Sequence, residues 1–373
     1  MIAIISLSLF IFNIVFPRSK YTYYSLLFFM WIIMSFTYNI ADEDVYLSRY
    51  NDPEIWIGQT EFLFSLSTSI FRWMDFNYIQ YKCIMSFVVL LLFNSTIRRY
   101  AKYPNIVLLL YFICPFALNV AQFRNVLATS IFVYGARYLI DKDESKVLIS
   151  RITINDIKYI GIIITASMFH SAAFIWLILL LAKKYSVKKN IVIVLIINFM
   201  MIGVLTPTNI STIIPEFGAV MRMAAYLSDE YAQSGWHHYS YIVLVIFIGT
   251  ISILFAWFRS KKALRYSMDY YRMKCLMKSN IIMMAILGIM IMYTQEVYRM
   301  QEGLAIINYI LMTNCIYSKK FGLLKMSVRN FKIVLVCIVY ALGTMYFEII
   351  RYLVPTIVIP ILGNNYIVEY FID

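Results

Sequence analysis

Two arginines in apolar parts of the chain are the first candidates for chemistry. Arg124 lies in NVAQFRNVLATSIFVYGARYLI, and Arg299 lies between two apolar runs in QEVYRMQEGLAIINYIL. Arginine at membrane depth is costly and rare without a partner, so a functional role is its default interpretation. Because a guanidinium group binds phosphate through a planar fork, both segments predict a phosphate or pyrophosphate site. The alternative is a structural ion pair, for Arg299 with Glu296 or Glu302.

A histidine and two aspartates are the next candidates. His170 stands in ASMFHSAAF, between small residues that allow close backbone approach. A single histidine in an apolar run is often only a hydrogen-bonded packing residue, which is the alternative here. Asp42 and Asp44 directly follow the second apolar run, which makes them candidates. Most other acidic residues of the outer side, including Glu61, are explained by the solvation of exposed loops.

The elements that hold these side chains are predicted to be membrane helices. Hydrophobic residues make up 62% of the chain and charged residues 14%, with a mean hydropathy of +0.73, well beyond the composition of soluble domains. We expect an all-α polytopic integral membrane protein in which residues 1–373 form a single transmembrane domain of about 11–13 transmembrane or re-entrant helices. The predicted spans are 1–16, 22–40, 78–97, 104–119, 121–140, 157–168, 170–182, 190–206, 240–258, 280–297, 301–317 and 331–347.

The distribution of basic residues predicts the orientation. Six clusters hold 26 of the 33 lysines and arginines, and such clusters accumulate in cytoplasmic loops. The opposite, outer side retains arginines but almost no lysine; Arg49 and Arg222 lie in its two main loops, about 41–77 and 207–239. The cytoplasmic clusters are 18–20, 98–102, 137–158, 183–189, 259–278 and 319–332.

The apolar run around His170 is predicted to turn back on itself. A single span there would place Lys183, Lys184, Lys188 and Lys189 outside, against the bias of the other clusters. A break at residues 169–171 gives two short arms and returns these lysines to the cytoplasm. One long tilted helix is the alternative.

Two further patterns concern the outer side and the cysteines. Residues 61–74 form an apolar stretch with a Ser/Thr stripe, which predicts an amphipathic helix at the outer interface.

The five cysteines show no CxxC pattern and no histidine at metal-ligand spacing, which favours packing residues. We therefore expect no metal and no cofactor.

The segments, taken in order, resemble the Wzy/EpsG family of bacterial polysaccharide polymerases. The order is ADEDVYLSRY, TEFLFSLSTSIF, QFRNVLATSIFVYGARYL, ASMFHSAAFIWLILL and YRMQEGLAIINYIL, over roughly residues 38–317. The chain has Ala41 where family members often have glycine, and Asn125 where glutamine is frequent. The choice between Asp42 and Asp44 therefore stays open.

The resemblance implies a glycosyltransferase of GT-C-like helical architecture in the cytoplasmic membrane of a bacterium. Its substrate would be an oligosaccharide repeat unit linked to a polyprenyl pyrophosphate such as undecaprenyl pyrophosphate. Its product would be O-antigen, capsule or exopolysaccharide. Membrane lipid and a chain-length regulator protein are the expected partners, and no nucleic acid is expected because the basic residues lie between the spans.

The resemblance also implies roles for the candidate residues. Arg124 and Arg299, then Arg222 and Arg49, would bind the pyrophosphate, whose negative charge grows as the glycosidic bond breaks. The acceptor hydroxyl must lose a proton, for which His170, Asp42 and Asp44 are the candidates. Two other functions remain open: an O-antigen ligase, for which the 207–239 loop is small, and a flippase of lipid-linked oligosaccharide, for which no internal symmetry is visible.

Overall fold

The computed structural model describes residues 1–52, 61–141, 147–149, 152–204, 236–288, 299–315, 328–346 and 353–372. Helices dominate this part of the chain, which confirms the predicted all-α class. A two-stranded antiparallel pair, β1 (Val147–Ile149) and β2 (Ile152–Thr153), is the exception among the described residues. The first nine helices are α1 (Ile2–Val15), α2 (Lys20–Phe36), α3 (Glu43–Asn51), α4 (Phe62–Trp73), α5 (Tyr78–Tyr100), α6 (Pro104–Ile113), α7 (Phe116–Ala121), α8 (Phe123–Gly135) and α9 (Arg137–Ile140).

Shorter elements follow in the second half of the chain. A 3₁₀ helix covers Ser171–Ile178 and a π-helical turn covers Val354–Val358. The α-helices are α10 (Ile154–Ser167), α11 (Leu179–Lys184), α12 (Val187–Gly203), α13 (Trp236–Leu264), α14 (Met268–Met283), α15 (Arg299–Glu302), α16 (Ala305–Asn314), α17 (Val328–Met345), α18 (Ile359–Gly363) and α19 (Tyr366–Ile372).

Helix α5 is long and apolar enough to cross a membrane. It begins with a capping box in which the side chains of Asn77 and Gln80 each accept a hydrogen bond from the other residue's backbone N–H, and its last turn contains Arg98 and Arg99. Its 23 residues extend over ~34 Å at 1.5 Å per residue. Within the described ranges, α5 alone combines the length and the apolar composition that a membrane crossing requires.

Several predicted spans are broken into shorter helices. The span 104–119 is divided at Cys114 and Pro115 into α6 and α7, because proline has no backbone N–H to continue the helix. The span 301–317 is divided at Gly303 and Leu304 into α15 and α16. Helix α14 begins at Met268, before the predicted span 280–297. Its first turns, MDYYRMK, are polar and lie outside the apolar run on which the predicted span rests.

The turn predicted around His170 is confirmed. Helix α10 ends at Ser167, and the 3₁₀ helix that begins at Ser171 returns alongside it. The hydroxyl of Tyr159 donates a hydrogen bond to the carbonyl of Trp176 at 2.8 Å. At the far end of the hairpin, Lys183 Nζ lies 2.9 Å from Asp156 Oδ1. The two arms are therefore antiparallel, with His170 at their bend.

Basic residues from separate predicted clusters meet at one end of the bundle, which we call the basic end. Arg99 and Arg272 both pair with Asp141, Lys183 and Lys184 pair with Asp156, and Lys102 pairs with Asp269. Because α5, α8 and α10 each have one end here, their other ends, with Tyr78, Arg124 and His170, lie at the opposite end. The shared location fits the predicted orientation, and which side faces the cytoplasm stays a prediction.

The outer faces of several helices are apolar and exposed. On α1 the exposed residues Ile4, Leu7, Ile11 and Val15 follow one helical face, and α12 has a similar face. Soluble proteins rarely expose such continuous apolar surfaces. Helices whose outer face contacts lipid have this kind of surface.

The predicted amphipathic helix is α4, and its apolar side faces outward. Its exposed residues, Phe62, Leu66, Ile70 and Trp73, recur at helical spacing. The Ser/Thr stripe faces the protein, where Thr68 is buried. Its hydroxyl donates to the carbonyl of Ser65 at 2.8 Å, and this bond allows a polar side chain to be buried.

Candidate functional site

Glu61 is the centre of a charged cluster at the end of the bundle opposite the basic end. Its Oε1 lies 3.0 Å from His170 Nδ1, and its Oε2 lies 3.2 Å from Arg49 Nη1. Arg124 Nη1 also pairs with Oε2. Three residues that the sequence identified as candidates therefore meet at one carboxylate, which we call the Glu61 cluster.

Four different elements position these side chains. Arg49 lies in the last turn of α3, Glu61 directly precedes α4, Arg124 lies in the first turn of α8, and His170 lies at the bend after α10. The backbone also joins two of these elements, because the N–H of Leu63 donates to the carbonyl of Met168 at 2.9 Å. The start of α4 is thereby held against the end of α10.

An aromatic floor supports the cluster. The guanidinium carbon of Arg124 lies 5.5 Å from the centre of the Tyr46 ring, within the range of a cation–π contact. Tyr46 in turn packs against Phe64 and Phe123. An arginine in the first turn of a helix is disfavoured by the helix dipole, so Glu61 and the Tyr46 ring offset an otherwise unfavourable position.

The environment keeps Glu61 ionised. Burial by itself would raise the pKa of this carboxyl group. The hydrogen bond with His170 and the charge of Arg124 act in the opposite direction and prevail, so the pKa of Glu61 falls to about 2. A carboxylate with so low a pKa is a weak proton acceptor at neutral pH.

The ionised state of Glu61 determines the tautomer of His170. An ionised carboxylate can only accept hydrogen bonds, so the 3.0 Å contact requires a proton on His170 Nδ1. In neutral histidine, Nε2 is then the free acceptor. A carboxylate that orients imidazole in this way prepares Nε2 to act as a general base.

The cluster carries a positive excess. Two guanidinium groups, from Arg49 and Arg124, surround the single carboxylate of Glu61. The Glu61 side chain is 10% exposed and that of Arg124 is 21% exposed, so the site is partly open. Its net positive charge suits an anionic ligand such as a phosphate group.

The two aspartates predicted as bases have other surroundings. Asp42 is exposed and precedes the first residue of α3, with a left-handed backbone at φ 64°. Asp44 is also exposed and lines a groove of about 670 Å³. The bonds that join the Glu61 cluster come from Arg49, Arg124 and His170 instead.

The segment that carries Arg299 is connected to two elements of the cluster through Trp176. The indole N–H of Trp176 donates to the carbonyl of Met300 at 2.9 Å. The same indole stacks on Phe132 of α8, with ring centres 4.2 Å apart. Trp176 thus joins the segments that carry Arg299, Arg124 and His170, and a cavity shared by the two arginines stays a prediction.

Two remaining sequence predictions concern Arg222 and metal binding. Arg222, with most of the 207–239 loop, lies outside the described residues. Within the parts of the chain that the structure covers, no three His, Cys, Asp or Glu side chains group closely enough to hold a metal ion.

Glu61 is the site residue that the sequence did not single out. The sequence pattern places it among the exposed acidic residues of the outer loops, yet it is only 8% exposed. The available signal was its position directly before the apolar helix FLFSLSTSIF. An acidic residue between a loop and an apolar helix can cap that helix or pair with a buried arginine, and sequence spacing does not show which partner is near.

Comparison with known proteins identifies the family. Neither a curated protein nor a solved structure matches this chain. The model of the EpsG family matches residues 20–355, a range that contains all the residues of the Glu61 cluster. That family consists of membrane proteins of polysaccharide biosynthesis and is generally one of polymerases. The chain therefore belongs to the EpsG family.

Proposed function

We propose that this protein joins polyprenyl-pyrophosphate-linked oligosaccharide repeat units into a surface polysaccharide at the outer face of the bacterial cytoplasmic membrane. The observation that carries the proposal is the Glu61 cluster, where two arginines and a histidine meet at one carboxylate. The reaction needs cations for a pyrophosphate leaving group and a base for an acceptor hydroxyl. The cluster holds both kinds of group.

The arginines would stabilise the leaving group. As the bond between the anomeric carbon and the pyrophosphate oxygen breaks, negative charge develops on that oxygen, and fixed cations lower the barrier. Arg124 is well placed because its side chain is 21% exposed beside the Glu61 carboxylate, where a phosphate group can approach it. We propose Arg49 as the second cation, with Arg299 and Arg222 as further ligands of the pyrophosphate.

His170 would be the general base. A hydroxyl of the acceptor sugar attacks the anomeric carbon of the donor glycan, and its proton passes to Nε2 of His170. Polyprenyl pyrophosphate leaves, and the glycan is longer by the units joined. Glu61 positions the imidazole and balances the positive charge that His170 gains. Asp42 and Asp44 remain alternative bases.

In this proposal the chain crosses the cytoplasmic membrane several times, and the Glu61 cluster lies at the outer side. The basic end, with the Asp141 and Asp156 ion pairs, would then face the cytoplasm. The exposed apolar faces of α1 and α12 would contact lipid. The apolar face of α4 would lie in the outer interface, beside the carboxylate that directly precedes this helix. A GT-C-like arrangement of the helices belongs to the same proposal.

Loss of the gene in its host distinguishes the candidate functions. Without a polymerase, single repeat units on polyprenyl pyrophosphate should accumulate at the outer face, where an impermeant reagent can label them. Without a flippase they would accumulate at the inner face. Without a ligase, long chains would remain on the lipid carrier. Either of the last two results would overturn the proposal.

A further inference from the structure

We propose that the groove beside Asp44 is a saccharide subsite that holds uncharged sugar residues of the lipid-linked glycan while the Glu61 cluster holds the pyrophosphate. This inference rests on the proposed polymerase function. The groove lies between the end of α2, helix α3, the start of α5 and the first residue of α19. Its volume of about 670 Å³ falls within the roughly 300–1,000 Å³ that is usual for small-molecule sites.

The groove has a net negative charge, whereas the Glu61 cluster has a net positive charge. Three carboxylates line the groove, from Glu43, Asp44 and Asp75, against the cations Lys82 and Arg72. The resulting negative excess disfavours a phosphate group. In the Glu61 cluster the cations are in excess, so an anionic ligand is directed there and an uncharged, hydroxyl-rich ligand suits the groove.

A buried lysine forms part of the groove wall. Lys82 is 3% exposed; its ammonium group donates to the carbonyl of Thr37 at 2.6 Å and to Glu43 Oε1 at 3.0 Å. An ammonium group has three N–H donors, and these two bonds leave one for a ligand hydroxyl. A charged residue buried in an apolar helix is costly, and the ion pair with Glu43 offsets this cost while it keeps the ammonium group at the groove wall.

The rest of the lining offers the two kinds of contact that a sugar requires, an apolar surface for its ring and acceptors for its hydroxyl groups. The rings of Tyr38 and Tyr366, stacked with centres 4.5 Å apart, offer an apolar surface for the C–H face of a sugar ring. Asp44 and Asp75 are exposed carboxylates that can accept hydrogen bonds from hydroxyl groups. Polar side chains make up most of the groove lining, which suits a ligand with many hydroxyl groups.

Helix α3 connects the groove with the cluster. Asp44 and Leu47, three positions apart, line the groove, whereas Tyr46 and Arg49, also three positions apart, contact the cluster. Residues three apart share one face of a helix, so α3 separates the two sites. A helix is ~10 Å across with its side chains, and a short glycan can span that distance.

The test measures binding of a glycan separately from its transfer. The probe is the oligosaccharide of a single repeat unit, prepared by acid hydrolysis of the host's own surface polysaccharide. It is titrated by calorimetry into the full-length, detergent-purified protein and into the double variant Asp44→Asn/Asp75→Asn. Asparagine keeps the shape of aspartate and tolerates the left-handed backbone of Asp75, at φ 59°. The control is Asp52→Asn, an exposed residue at the end of α3.

We expect the double variant to bind the oligosaccharide about tenfold or more weakly, because two charge-assisted hydrogen bonds become weaker bonds to neutral amides. Asp52→Asn and His170→Ala should bind it like the wild type, although His170→Ala polymerises far more slowly. Equal binding by the double variant and the wild type would overturn the subsite, as would a wild type that polymerises without measurable binding. Failure of the proposed function would show differently, as a wild type that binds the oligosaccharide but makes no polymer.

Discussion

Glu61 Oε1 lies 3.0 Å from His170 Nδ1 although 109 positions separate the two residues. One residue precedes an interfacial helix, and the other lies at the bend of a hairpin. The backbone bond between Leu63 and Met168, at 2.9 Å, holds these elements together. The contact therefore depends on the fold of both segments, and several predictions depend on the contact.

The pH dependence of stability should reveal the charge of Glu61. The folded pKa of about 2 lies below the ordinary value of 4.5, so the stabilising contribution is present above about 4.5 and is lost as the pH falls through about 2. At neutral pH we expect Glu61→Gln to lower the free energy of unfolding by on the order of 2 kcal/mol.

Thermal unfolding in detergent over this pH range measures the effect. The difference in midpoint between the wild type and Glu61→Gln should shrink toward zero as the pH falls from 4.5 to 2. Asp52→Asn serves as a control for the loss of an exposed carboxylate. A difference that does not change with pH would show that Glu61 contributes no charge-dependent stability.

Arg124→Lys should lose most polymerase activity while the protein still accumulates in the membrane. Lysine keeps the positive charge but loses the planar fork that pairs with Glu61 and packs on Tyr46. We expect polymer synthesis to fall by roughly 10²-fold or more, in line with the removal of a fixed donor from a developing anion.

The measurement for Arg124→Lys is the length distribution of polymer in cells that contain equal amounts of each variant. Arg98→Lys is the matched control, because Arg98 lies in the last turn of α5 at the basic end. Wild-type polymer lengths with Arg124→Lys would remove this residue from the proposed phosphate site.

Gly303→Ala should disturb the link between the Arg299 segment and the His170 hairpin. A Cβ atom at Gly303 would clash with the indole ring of Trp176, so this ring, which stacks on Phe132, would have to shift. Overpacking of this kind typically costs about 1–3 kcal/mol, and we expect a lower unfolding midpoint and weaker polymer synthesis.

Gly161→Ala provides the comparison for Gly303→Ala. A Cβ atom at Gly161 meets no atom within 4 Å, and alanine favours the interior of α10 over glycine. This variant should be as stable as the wild type or slightly more stable. If both variants behave alike, the packing of Trp176 does not position the site.

The orientation of the bundle is tested at Ser186, which lies in the short connection between α11 and α12, directly before α12. We expect a cysteine there to resist an impermeant reagent added outside, because Lys183, Lys184, Lys188 and Lys189 are predicted to be cytoplasmic. A cysteine at Asp44 should react. Both are placed in a background with Cys83→Ser, since Cys83 is half-buried and the other cysteines are buried. Labelling at residue 186 by the reagent added outside would contradict the predicted orientation.

Sequence patterns predict the helical class, the location of several helices and the turn at His170. Apolar length located α2 and α5, and the distribution of lysines led to the turn at His170, which the contact between Lys183 and Asp156 confirms. Breaks inside the predicted spans were missed, as at Gly303, because hydropathy averaged over a window does not register one residue that interrupts a helix.

The candidate site was only partly predictable. Arg124 and His170 were recognised because a charged or titratable residue in an apolar run is conspicuous. Glu61 was not, because its importance depends on a contact between distant segments. Asp44 was recognised, but the sequence could not show that it lines a groove on the far side of α3 from Arg49.

The most direct test of the central claim is polymerisation by the purified protein in liposomes, supplied only with lipid-linked repeat units extracted from the gene-deletion strain. We predict that the wild type produces a ladder of longer glycans and releases one polyprenyl pyrophosphate for each new linkage, without a nucleotide sugar. His170→Ala, confirmed as folded by its unfolding midpoint, should slow this reaction by roughly 10²–10⁴-fold. A folded wild type that forms no longer glycan, or a His170→Ala variant that polymerises at the wild-type rate, would contradict the account.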